Sequence, residues 1–183
     1  MTARDAPELT TERLRLRALY EEDAPDLLAL YSDPTVMRHW SHAPWCKAAQ
    51  ALAAIDESHH ERASGRALHL AICLRGQQRL AGSCALFDIV PEHRRATIGY
   101  LLAQRYWGQG LGAEALKALI NHGFRDLALA RIEAEVDPAN HASQSLLMRL
   151  GFRCEGRLHA RWRVAGQARD VDLWALLGRD WPG

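Results

Sequence analysis

Long apolar runs are missing from this chain. None of its 183 residues sits in a stretch approaching the roughly 18 apolar residues needed to cross a bilayer, so no membrane helix is expected. Residues Met1–Glu8 lack an apolar h-region, and no secretory signal is read. Cysteine is sparse. Cys46, Cys73, Cys84 and Cys154 show no C-x-x-C spacing, which excludes the common redox and zinc patterns and leaves structural thiols in a reducing, cytoplasmic setting. An excess of either charge is also missing: 23 Lys and Arg stand against 22 Asp and Glu, so nothing draws the chain to nucleic acid or to a membrane surface. The nine histidines are scattered. His59-His60-Glu61 lacks the second histidine that H-E-x-x-H places one helical turn on, so this is a solvated helix face and no metal site is expected. There are no repeats, linkers or low-complexity tracts. Hydrophobic content of 48% and charged content of 25% fit one globular domain over residues 1–183, with its core at about 9–181.

The most informative stretch runs from Ile98 to Glu114. Ile98-Gly99-Tyr100-Leu101-Leu102 reads as a buried strand. Gly108-Gln109-Gly110-Leu111-Gly112 is a glycine-rich loop, and Ala113 to Leu127 has helical period with Leu116, Leu119, Ile120, Phe124 and Leu127 on one face. A glycine loop feeding a helix N-terminus binds anions, because its free N–H groups and the positive end of the helix dipole converge there. A phosphate-bearing ligand is the first inference.

Around this stretch, Leu14–Leu19 alternates as a strand. Asp23 can cap a helix reaching Ser32, and a second helix spans Lys47–Ala63. Leu68–Leu74, Leu80–Ile89 and Ala96–Leu102 follow as strands separated by turns at Arg75–Gln78 and Pro91–Arg95. After the glycine loop and its helix come a strand at Arg131–Asp137, a short helix at His141–Leu150 closed by Gly151, and a strand pair at Phe152–Val164 and Arg169–Leu177. The order is β-α-α-β-β-β-α-β-α-β-β with mixed pairing.

Three phosphate ligands compete. A P-loop needs Gly-Lys-Ser/Thr at the helix start, where this chain has Leu111, Gly112 and Ala113, so nucleotide triphosphate hydrolysis is set aside. Gly108-x-Gly110-x-x-Ala113 formally fits the dinucleotide fingerprint, with Glu133 downstream. Against it, Ala103 to Trp107 intervene between strand and first glycine, the unit sits in mid-chain, and no second mononucleotide half follows. The third ligand is coenzyme A. Arg105-Tyr106-Trp107-Gly108-Gln109-Gly110 resembles the Q/R-x-x-G-x-G/A loop of the GCN5-related N-acetyltransferases. The resemblance runs from Leu14 to Trp181. Asp33–Met37, Ile98–Tyr100, Asp137–Ser143 and Leu150–Gly156 resemble its ribosomal-protein N-terminal acetyltransferase (RimJ/RimL-like) branch.

That resemblance implies an α/β (α+β) fold: a mixed, mostly antiparallel seven-stranded sheet, split between its fourth and fifth strands and flanked by about four helices. It implies acetyl-CoA as cosubstrate, held by the loop residues Trp107, Gly108, Gln109, Gly110, Leu111, Gly112 and Ala113 and by Arg105. The backbone of Tyr100, Leu101 and Leu102 would pair with the pantetheine arm, with an N–H of Leu101 or Leu102 polarising the thioester carbonyl. Asn140 and Ser143 would meet the same arm. Glu135, five residues before Asn140, stands where one branch places a catalytic glutamate, and Asp88, Glu92, His93 and His159 remain open as bases. Many members have a donor tyrosine twelve residues after Glu135. Here that position holds Leu147, and Ser143 is the expected substitute. A serine-acetylating relative carries a glutamate near Trp162.

The implied acceptor wall holds Arg38, His39, Trp40, His42 and Trp45, with His159, Arg161, Trp162 and Arg163 opposite. Its charge is expected to disfavour polyamines and suit a protein N-terminus beside acidic residues. The expected activity is acetyl transfer to a primary amine, the N-terminal α-amine of a protein, by direct attack in a ternary complex. A small-molecule N-acetyltransferase, an acyl-CoA-binding protein without turnover and a dinucleotide oxidoreductase are the alternatives. No nucleic acid or membrane partner is expected, and the protein is either a monomer or a homodimer.

Overall fold

The computed structural model describes residues 7–183. Eight strands form one sheet: β1 (Leu9–Thr10), β2 (Leu14–Arg17), β3 (Leu68–Leu74), β4 (Leu80–Val90), β5 (Arg95–Leu102), β6 (Arg131–Val136), β7 (Arg153–Val164) and β8 (Gln167–Leu177). They lie in the order β1-β2-β3-β4-β5-β6-β8-β7. Only β5 and β6 pair in parallel, since α3 (Leu111–Arg125) carries the chain across between them. The expected seven strands are therefore eight. The addition is β1, a two-residue edge strand on β2, too short and too polar at Thr10 and Thr11 to leave a periodic signal. The expected split between fourth and fifth strands lies between β5 and β6.

Helices α1 (Ala24–Ser32) and α2 (Ala48–Ala63) cover one face of the sheet, and α3 and α4 (His141–Arg149) the other. Burial on both faces explains the unbroken apolar run of β3. Leu70 and Ile72 enter the α3/α4 core, while Ala71 and Cys73 enter the α1/α2 core. On α3, Leu116, Leu119 and Ile120 are fully buried as their spacing requires; Leu127 falls beyond the helix end and is exposed.

The sheet opens at one place. β5 and β6 are in register only at Arg95↔Arg131, Ala96↔Ile132 and Thr97↔Glu133. Beyond these, β5 stays bound to β4 as far as Leu102↔Gly82, and β6 stays bound to β8 as far as Val136↔Asp172. Each strand is held on its outer side while the inner edges part. Gly82 serves this end directly, because a Cβ there would run into the Leu101 carbonyl oxygen.

Asp23 does not cap α1 with its side chain. Its carboxylate instead takes both arms of the buried Arg17 guanidinium, at 2.7 and 2.8 Å, and the Tyr20 amide at 2.9 Å. Arg17 also donates to the Ala18 and Gln78 carbonyls, so the pair ties β2 to the start of α1 and to the β3–β4 turn.

Asp23→Ala strands a buried guanidinium and is expected to cost about 3–5 kcal/mol in a denaturant melt. The four cysteines are free, with Cys46 and Cys154 exposed and Cys73 and Cys84 buried. Burial pushes the Cys73 thiol up and the Cys84 thiol to about 12, so neither forms thiolate near pH 8. Alkylation of the native protein at pH 8 is expected to label Cys46 and Cys154 alone, as read by peptide mass spectrometry.

Candidate active site

The loop between β5 and α3 is built to leave its amides unoccupied. Gly108 and Gly110 adopt φ of 71° and 77°, the left-handed region that turns successive N–H groups to one side. The six amides from Gly108 to Ala113 find no acceptor among the described residues, and they sit at the positive end of α3. The side chains around them act as braces. Trp107 Nε1 donates to the Leu102 carbonyl at 2.7 Å, and the Gln109 amide donates to the Arg105 carbonyl at 2.8 Å. Arg105 is exposed, its guanidinium 4.8 Å from the Tyr106 ring centroid.

A further brace was not foreseen from the sequence. Glu114, in the first turn of α3, accepts from Thr11 Oγ1 at 2.6 Å, from the Arg13 amide at 2.8 Å and from Arg13 Nε at 2.7 Å. Arg13 also donates to the Gln109 carbonyl at 3.0 Å. Burial acts to raise the Glu114 pKa, but these donors outweigh it and hold the carboxyl below its usual value. Without Arg13, an acidic residue beside an anion loop would repel the ligand.

Where β5 parts from β6, Tyr100 points into the α3/α4 face. Its hydroxyl lies 2.6 Å from Ser143 Oγ, and burial pushes the phenol up to about 12 although the Ser143 hydrogen bond acts to lower it. Asn140 caps α4, its Oδ1 accepting from the Ser143 amide at 3.1 Å. Asn140, Ser143 and Tyr100 thus form one connected group beside the opening. Leu147 is fully buried in the core. The Tyr100 side chain is the member of this group that no sequence signal points to, because its partner Ser143 lies forty-three residues away.

Glu133 and Glu135 share one face of β6, as alternation requires, opposite the buried Ile132, Ala134 and Val136. Glu133 is occupied by Arg95 and Arg131. Glu135 Oε1 accepts twice from Arg161, at 2.9 and 2.7 Å, and Oε2 accepts from Trp162 Nε1 at 2.8 Å. An irregularity in β7 between Leu158 and Trp162, with Ala160 at φ 52°, sets both donors over β6. Three of the carboxylate's roughly four acceptor sites are filled, leaving one on Oε2.

On the α1/α2 face, a cleft of about 260 Å³ runs from Gly99 and Tyr100 to the inner side of α2. Trp40 and Trp45 line it, joined by Tyr31, whose ring stacks on Trp45 at 4.3 Å. Arg38, His39 and Trp162 do not line it. Arg38 is exposed with its carbonyl accepting from Arg169. Trp162 is committed to Glu135. His39 Nδ1 sits 2.9 Å from Asp137 Oδ2, pinning the α1–α2 loop to the end of β6. Burial acts to raise the Asp137 pKa, but the Ala139 amide and His39 outweigh it and hold it low. Among the described residues no Lys or Arg lines this cleft, and its carboxylates are Glu57 and Glu61. A second cleft of about 460 Å³ adjoins it through Glu61 and Phe87 and is bordered by Asp88, Glu135 and Arg161. Of the remaining bases weighed, Glu92 and His93 are exposed on the turn after β4, and His159 pairs with Asp170 at 2.9 Å.

The arrangement can hold a pyrophosphate on α3, lay an extended arm in the opening, and bring an acceptor from the opposite face. Gly110→Val, which forces a β-branched residue to positive φ, is expected to weaken acetyl-CoA binding about tenfold or more in calorimetry. Glu114→Ala removes one brace and is expected to weaken it by roughly fivefold.

The acetyltransferase (GNAT) domain model matches residues 13–153. The N-acetyltransferase p20 of Bacillus licheniformis is 37% identical over 175 residues, covering 96% of this chain and 98% of that one. The [ribosomal protein uS5]-alanine N-acetyltransferase of Escherichia coli is 32% identical over 184 residues, covering 96% and 93%. The spermidine N(1)-acetyltransferase of the same organism is 29% identical over 158 residues, covering 86% and 82%. Among solved structures, Mycobacterium smegmatis RimJ in complex with CoA-disulfide superposes with a TM-score of 0.85 at 25% identity, covering 97% of this chain and 88% of that one. The free amides before α3 and the parted strands β5 and β6 thus sit in a chain that belongs to the GNAT family of acetyl-CoA-dependent N-acetyltransferases, in its RimJ/RimL-like branch.

Proposed function

We propose that the protein acetylates the N-terminal α-amine of a polypeptide. The observation that carries this reading is the shape of the acceptor side. The two clefts lie side by side, with Glu61 and Phe87 in the walls of both, and together they give the opening at Gly99 an extended flank that suits a chain.

Acetyl-CoA supplies the acetyl group as an activated thioester. The amides of residues 108–113 hold its pyrophosphate, and the backbone N–H of Leu102, on the side of β5 turned away from β4, faces the thioester oxygen. As the amine nitrogen bonds to the carbonyl carbon and the carbon–sulfur bond breaks, one proton leaves nitrogen and one reaches sulfur. Glu135 takes the first through a water at its free Oε2 site. An α-amine with a pKa near 8 needs only this modest help. The Tyr100–Ser143 hydroxyl pair delivers the second. A phenol with its pKa near 12 stays protonated at neutral pH and keeps the serine hydroxyl oriented.

A polyamine acceptor is the second reading, favoured by Glu57 and Glu61 in a cleft lined by no Lys or Arg. A thiol-release assay with acetyl-CoA decides between them. N-terminal peptides are expected to exceed spermidine and free amino acids by about tenfold or more in kcat/KM, and a preference for spermidine overturns the polypeptide reading. Tyr100→Phe is expected to lower kcat by about ten- to a hundredfold, with KM for acetyl-CoA within about twofold. An unchanged kcat removes Tyr100 from the proton path.

A further inference from the structure

We propose that the cleft beneath α2 is a specificity pocket for an acceptor bearing a second positive charge, several bonds from the amine that is acetylated. The inference rests on the reading above only in placing the reacting amine at the opening between β5 and β6.

Position comes first. The cleft begins at Gly99 and Tyr100, on the stretch of β5 that has lost its β6 partner. A Cβ at residue 99 would sit 3.1 Å from Phe87 Cε1 and 3.7 Å from Trp40 Cη2, so the mouth is open because that residue is glycine. Whatever is attached to the reacting amine has this cleft directly beside it.

The lining comes second. Near the mouth the walls are aromatic: Tyr31 and Trp45 are stacked at 4.3 Å, and Trp40 stands edge-on to Tyr31 at 6.1 Å. The Tyr31 hydroxyl is 3.2 Å from Ser83 Oγ, which fixes the ring. At its α2 side, exposed Glu57 and half-buried Glu61 lie one helical turn apart, and Glu61 Oε2 is 2.9 Å from His69 Nε2. Aromatic faces attract a cation through their quadrupole, and carboxylates at the end of an apolar passage are stabilised by an opposite charge. An aliphatic stem with an ammonium or guanidinium head satisfies both parts of the lining. A neutral stem gives Glu57 no opposite charge to meet, and an acidic one is repelled.

An N-terminal Lys or Arg residue and a free polyamine both present this chemistry. The test is a thiol-release assay on the full chain with peptides identical except for an N-terminal Lys, norleucine or Glu, and with spermidine. The Lys peptide is expected to exceed the norleucine peptide by about tenfold in kcat/KM, with Glu lowest. In the double variant Glu57→Gln, Glu61→Gln the ratio of Lys to norleucine is expected to fall to within about twofold. Calorimetry on the CoA-saturated wild-type protein gives a readout independent of that variant's folding: 1,5-diaminopentane is expected to bind at least about tenfold more tightly than 1-aminopentane. Equal binding of the two amines overturns the pocket. So does equal turnover of Lys, norleucine and Glu peptides, an outcome that leaves the polypeptide reading intact. Spermidine as the best acceptor, with its advantage lost in the double variant, supports the pocket and overturns the polypeptide reading.

Discussion

The rest of the structure is arranged around two parallel strands that stop pairing. After Thr97↔Glu133, β5 and β6 separate although neither ends. In an isolated sheet, unpaired N–H and C=O groups facing each other would close up or fill with water. They stay apart because each strand is fixed on its far side, β5 by β4 and β6 by β8. Buried cores on both faces resist any compensating rotation. Because the opened edges keep their hydrogen-bonding capacity, the structure offers an extended, amide-bearing ligand the partner that the neighbouring strand no longer is.

Around this opening, stability comes from long-range polar contacts. The glycine loop before α3 is braced by Arg13 and Thr11 through Glu114, about a hundred residues away in the chain. The acceptor side is braced by Arg161 and Trp162 on Glu135, and by His39 on Asp137. Two non-glycine residues in the left-handed region, Asp88 in β4 and Ala160 in β7, sit at irregularities in the strands that border the groove. Such strain persists where surrounding structure enforces it, and here it re-aims side chains over the sheet.

Charge on the acceptor side shows why composition alone misleads. Counted along the chain, the region around residues 38–45 and 159–163 is basic. In space, Arg161 is neutralised by Glu135 and His159 is paired with Asp170, while Arg38 faces solvent. The carboxylates that line the cleft belong to α2, a helix whose sequence reads as an ordinary solvated face. Which charge an acceptor meets is set by what remains after pairing, and pairing is a tertiary property.

Local signals determined the strand at Leu68–Leu74 to the residue, four helices to within about two residues at each end, the glycine loop that opens the third of them, and the alternation that puts Glu133 and Glu135 on one face. Each depends on periodicity or backbone preference within a few residues, which physical chemistry reads directly from side-chain type. Tertiary structure alone decided the rest. The strand β1 exists only because β2 is there to pair with it. Asp23 abandons a helix cap for Arg17, and Trp162 turns from the acceptor to Glu135. Tyr100 meets Ser143 across forty-three residues. A hydrogen bond is worth what its partner and its burial make it, and neither is a property of the residue taken alone.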